Sequence, residues 1–145
     1  MVDQDDLLLR YRVVEELVLL AAPGDEQVEF LTREGWDHME LLKGYPNWSQ
    51  DIIPVLNERG LLSADVMEAT GAVSDALATL DTEVADEYKR TQAIEALTDN
   101  GIRGDTRWQK IRDLARRALS AFKDLGVTAP QLLDASYNTR RRSAP

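Results

Sequence analysis

One histidine and no cysteine set narrow limits on the chemistry this chain can perform. Without cysteine there is no thiolate nucleophile, no thiolate metal ligand and no disulfide, which fits a reducing compartment. His38 lies in Gly35-Trp36-Asp37-His38-Met39-Glu40, with Glu34 four residues before it. On a continuous helix Glu34 and His38 would share a face, as two ligands of a metal would. Gly35 interrupts that continuity, and two ligands do not close a site. Any serine–histidine pair would have to use His38, yet no serine stands in a G-x-S-x-G context. Adjacent acids such as Asp5-Asp6, Glu15-Glu16, Asp25-Glu26 and Asp86-Glu87 point about 100° apart on a helix, so they do not converge. Asp3-Gln4-Asp5-Asp6 precedes an apolar run, where acids complement a helix N-terminus rather than gather a cation. Gly101-Ile102-Arg103-Gly104-Asp105 could offer amides to an anion ahead of a helix, with Arg103 and Arg107 nearby, but it also reads as a capped turn. No catalytic, metal or cofactor motif is present, and the expected function is binding without chemistry.

Two surfaces could bind. The first is aromatic and acidic: Trp36, Tyr45 and Trp48 stand near turn residues, with Asp37, Glu40 and Asp51 beside them. Aromatic anchors with a charged rim suit recognition of a protein with a basic surface. The second is cationic. Arg107, Lys110, Arg112, Arg116, Arg117 and Lys123 decorate one segment, and Arg140-Arg141-Arg142 follow near the end. Arg112, Arg116 and Arg117 are the candidates for phosphate contact in a nucleic-acid-associated regulator, the alternative reading. The balance of charge disfavours it. Residues 1–88 hold 20 acidic and 5 basic side chains, a balance of −15, whereas residues 89–145 hold 6 acidic and 12 basic, a balance of +6. The two segments either neutralise one another by packing together or leave a bipolar surface.

The elements that must position these residues are helical. Leu7, Leu8, Tyr11, Val14, Leu17, Val18 and Ala21 recur at three and four, predicting a helix over 3–22 that Pro23-Gly24 ends. Asp25 is expected to cap a short second helix with Val28 and Leu31 inward and Gly35 as its stop. Residues 36–43 make one or two turns closed by Gly44, and Tyr45-Pro46-Asn47 reads as a turn. Pro54 implies that a helix over 49–59 is bent or starts near Ile53. Ser63 caps a helix over 64–80, and Asp81-Thr82 either interrupts that helix or begins the next. A helix over 91–97 should end at Asn100-Gly101. The strongest pattern is 106–125, capped by Asp105, with Trp108, Ile111, Leu114, Ala118 and Phe122 expected in the core. Thr128 caps a further short helix containing Pro130, and residues 138–145 form a basic tail.

These elements predict an all-α fold, an irregular bundle of five to seven helices in one domain over 1–137. No apolar run approaches the ~18 residues that a membrane span needs. Asp3, Asp5 and Asp6 have the wrong sign for a leader peptide, so a cytoplasmic protein is expected.

Residues 61–80, then Glu95-Ala96-Leu97, then Trp108-Gln109-Lys110-Ile111-Arg112-Asp113-Leu114-Ala115 resemble small acidic helical bacterial proteins of immunity-protein type. The resemblance covers about a third of the chain. It implies an inhibitor that neutralises a cognate toxin by binding it, and it brings no functional residues with it.

Overall fold

The computed structural model describes residues 4–126. They form six α-helices: α1 Gln4–Ala21, α2 Gly24–Glu34, α3 His38–Glu58, α4 Ala64–Thr91, α5 Asp99–Gly104 and α6 Thr106–Asp124. A single 3-10 turn, Glu95–Leu97, precedes α5. The expected all-α bundle is the architecture observed.

The four long helices form an up-down-up-down ring. α1 packs on α3 and α6, and α4 closes the ring against α3 and α6. The directions follow from paired side chains. Arg59 of the α3 C-terminus meets Asp6 near the start of α1, and Arg12 meets Trp48 further along. Arg107 meets Glu83 and Arg117 meets Glu68, so α6 runs antiparallel to α4. α2 and α5 cap one end of the ring and contact each other.

α6 carries the expected stripe. Trp108, Ile111, Ala115, Ala118 and Phe122 are buried, and the Trp108 indole donates to the Ala96 carbonyl at 2.8 Å. Leu114 departs from expectation: it is only half-buried, facing a groove beside α4.

The largest correction concerns α3. The expected turn at Tyr45-Pro46-Asn47 and the late start after Ser49 do not occur; one helix runs through Gly44, Pro46 and Pro54. Leu41, Leu42, Tyr45, Ser49, Ile52 and Leu56 are all buried and keep a helical period across both prolines. Each proline opposes the helix by about 3 kcal/mol. Burying five large side chains at roughly 1.5–3 kcal/mol each outweighs both. Gly44 lets α3 lie close to α1: a β-carbon there would stand 2.8 Å from the Glu16 carboxylate, which would have to swing aside.

α4 is also longer than expected. Thr79 and Thr82 stay within the helix, their hydroxyls donating to the carbonyls of Asp75 and Ala78, four residues back. Val84 extends the buried face past the expected break. Gln92, in the left-handed region at φ 60°, then ends the helix. The helix expected over 91–97 is reduced to the 3-10 turn. Gly101 lies inside α5 instead of ending a helix, since a β-carbon there would collide with the Glu95 carbonyl. Pro23, not Asp25, stands at the N-cap of α2, and Asp25 pairs with Arg103 at 2.9 Å. The Thr128 helix and the 138–145 tail lie outside the described residues.

Candidate partner-binding surface

The outer edge where α1 meets α3 carries the most exposed aromatic side chain joined to a charge. Trp48 is 41% exposed, and the Arg12 guanidinium lies over its ring, 4.3 Å from the centroid. This contact holds the indole in place without covering it, so little side-chain freedom remains to be lost on binding. Leu8, one turn before Arg12 on α1, is 54% exposed and extends the apolar surface. Asp51, one turn after Trp48 on α3, is exposed at its border.

Asp37 and Glu40 continue the acidic character toward the start of α3. Asp37 is the N-cap and accepts the Met39 amide at 3.0 Å. Both are exposed, as is Met39 between them. At 1.5 Å per residue, Asp37 and Asp51 lie about 21 Å apart along the helix. Among the described residues none of Asp37, Glu40 and Asp51 takes part in an ion pair, although many other acids do.

The expected aromatic cluster is therefore divided. Tyr45 belongs to the core, 1% exposed, its hydroxyl donating to the Thr70 carbonyl at 3.4 Å. Burial pushes its phenol up to about 12, offset in part by the hydroxyls of Ser74, Thr70 and Ser49. It cannot touch a partner. Trp36, in the α2–α3 connection, packs edge-on against Phe30 with centroids 5.4 Å apart and seals the capped end. Trp48 alone remains an exposed anchor. Leu8 is a correction: its spacing placed it in the apolar stripe of the first helix, yet it is 54% exposed. Arg12 gave no signal in the sequence, because its contact with Trp48 depends on α3 packing across α1.

The cationic alternative changes more. Arg112 is not a surface cation: it is 2% exposed. Its guanidinium donates to Gln27 Oε1 and the Ile102 carbonyl, both at 2.9 Å, and to Gln109 Oε1 at 3.2 Å. Gln27 in turn donates to the carbonyls of Leu19 and Leu20 at 3.0 Å. Arg116 donates to the Ala21 carbonyl at 3.1 Å. Together these residues cap the C-terminus of α1, which has no basic residue in its own last turn. Burial, reinforced by Arg116, lowers the Arg112 pKa from its ordinary value. Arg117 is exposed and lies 3.7 Å from Glu68. Arg140, Arg141 and Arg142 lie outside the described residues.

The remaining chemical candidates also meet protein partners. His38 Nε2 stands 2.7 Å from Asp99 of α5, not beside Glu34. Among the described residues no three His, Asp or Glu side chains converge as a metal site would need. The Gly101 amide already donates to Thr98 Oγ1 at 3.0 Å. Arg107 forks onto Asp105 at 2.7 Å and reaches Glu83 at 2.9 Å. This fork lowers the Asp105 carboxyl and raises Arg107. The basic segment thus docks onto the acidic one through Arg103–Asp25, Arg107–Glu83 and Arg117–Glu68. No described helix is long and apolar enough to cross a membrane. No family model, curated protein or solved structure matches the chain.

Proposed function

We propose that this chain is a cytoplasmic, non-enzymatic protein-binding module, an immunity- or antitoxin-like inhibitor that covers a partner with a basic surface. The observation that carries this reading is Trp48, exposed and held by Arg12 at the α1–α3 edge. Tryptophan and arginine are the residue types most often found at binding hot spots. Asp37, Glu40 and Asp51 would steer a cationic partner toward that edge and set its orientation. The resemblance to immunity-type proteins through residues 61–80, Glu95-Ala96-Leu97 and 108–115 points the same way. The nucleic-acid alternative is left with Arg116 and Arg117, one bound to a helix end and the other beside a glutamate.

The test is retrieval of the tagged full chain from the cells that make it, with nuclease present throughout. One stoichiometric protein, retained by the wild type and lost with Trp48→Ala, is the expected result. Bound nucleic acid, or retention unaltered by Trp48→Ala, contradicts the reading. The reversal Glu40→Lys and the charge-removing Asp37→Asn, which keeps an N-cap side chain at the start of α3, should slow association with that protein and leave the fold intact.

A further inference from the structure

α3 and α4 leave a groove of about 360 Å³ between them, open to solvent. It lies on the α4 side of α3, whereas Trp48 meets Arg12 on the α1 side. Pro46, Ile53 and Met67 supply half-buried apolar walls. Ser49, Thr70 and Ser74 bring hydroxyls that gather round the buried Tyr45 phenol. Every residue that lines this groove is uncharged at neutral pH, although 30% of the chain is charged. By contrast, the grooves lined by Asp75 and Lys110, by Glu95 and Asp105, and by Asp5 and Arg59 all carry charge.

Three residues that oppose helix formation converge on the same groove. Pro46 and Pro54 each remove a backbone donor from inside α3, and Gly71 stands inside α4. Packing within the chain does not account for Gly71, because a β-carbon there would meet nothing within 4 Å. Its missing side chain keeps the groove open. Residues that weaken their own helix with no gain inside the fold are the kind found at functional sites.

We infer that this groove is a binding site for a small uncharged ligand, a single ring carrying a hydroxyl group. An ion would lose its hydration there and meet no opposite charge on the walls. The apolar walls take the ring. The half-buried Ser74 hydroxyl and the exposed Gln50 amide each offer a donor and an acceptor, and a ligand hydroxyl matches both because it also donates and accepts. The volume lies near the lower end of the roughly 300–1,000 Å³ typical of small-molecule sites, which restricts the ligand to about one ring.

Phenol is the probe, since its hydroxyl stays protonated at neutral pH. Benzoate, the same ring bearing a charge, is the comparison. Amide chemical shifts of the isotope-labelled full chain are followed as each is added. Phenol should move the signals of residues 49–50 and 70–74 saturably, with a dissociation constant on the order of 1 mM. Benzoate should bind at least about tenfold more weakly. Gly71→Leu, which fills the groove from its open side, should abolish the saturable shifts while the melting temperature stays at or above that of the wild type. Ser74→Ala should weaken phenol binding about fivefold and leave the fold intact. The inference is overturned by the absence of saturable shifts, by equal binding of benzoate, by saturable shifts that survive Gly71→Leu, or by an affinity that Ser74→Ala does not change.

Discussion

At the scale of single residues, the side chains that looked reactive mostly stabilise helix ends. Asp105 caps α6, its carboxylate accepting the Arg107 amide at 2.8 Å and the Arg107 side chain at 2.7 and 3.0 Å. Arg107 holds the carboxyl below its ordinary value, chiefly through that side-chain contact. A carboxyl depressed in the folded state stabilises the fold above its unfolded pKa. That stability is lost as pH falls through the lower, folded value. Asp105→Ala should therefore lose about 1–2 kcal/mol at neutral pH, and less in acid, where the wild type has lost the same contribution. Urea titrations at neutral and acid pH check this; an equal loss at both would contradict it. Tyr45 has the opposite sign. Its phenol is pushed from 10.0 up to about 12, so its contribution is present below pH 10 and lost as pH rises toward 12. Tyr45→Phe should remove that part of the alkaline destabilisation, measured as the shift in denaturation midpoint across the window. Tyr45 was misplaced in sequence because the proline after it dominates local turn rules, whereas burial decided its position. Asp37, Glu40, Trp48 and Asp51 were legible as surface residues, but the seating of Arg12 on Trp48 depends on α1 lying across α3.

At the scale of elements, periodicity located α1, α4 and α6 and their apolar faces, and it failed where local and tertiary preferences conflict. α3 passes through two prolines because the helical spacing of its buried residues continues on both sides of each. The rule that proline ends a helix carries no information about that distant packing. Arg112 was misread for a related reason. An arginine beside an apolar stripe is ordinarily solvated, and only the joint arrival of Gln27 and the Ile102 carbonyl makes burial tolerable. Arg112→Met should keep the volume but leave Gln27 Oε1 and the Ile102 carbonyl without their donor. The expected loss is about 2–4 kcal/mol, read by chemical denaturation; a change under about 0.5 kcal/mol would mean that water replaces the guanidinium. On α6, Ile111→Ala should lose about 2–5 kcal/mol. Leu114→Ala should lose less, because its side chain is only partly buried. Equal losses would contradict the observed burial.

At the scale of the whole molecule, charge separation along the chain becomes charge pairing across the ring. The basic α5–α6 segment faces α2 and α4 through Arg103–Asp25, Arg107–Glu83 and Arg117–Glu68, and of the phosphate candidates Arg112 is buried and Arg116 bonds the end of α1. On α3, Asp51 lies one turn from the exposed Trp48, and Glu40 and Asp37 follow toward the helix start, all three outside the ion pairs among the described residues. Which acids are paired and which are not could not be read from the −15 balance of residues 1–88. The acidity should speed association with a cationic partner at low salt, and the effect should fade once the Debye length shrinks to about 3 Å near 1 M. The most direct measurement is site-specific photo-crosslinking in the cells that make the protein. The photoreactive residue is placed at position 51 beside Trp48 and, as a control, at exposed position 29 on α2. A single discrete protein adduct from position 51, absent from position 29 and abolished by Trp48→Ala, is the predicted result. The same adducts from both positions, or an adduct at 51 that persists without Trp48, would contradict a recognition surface at the α1–α3 edge.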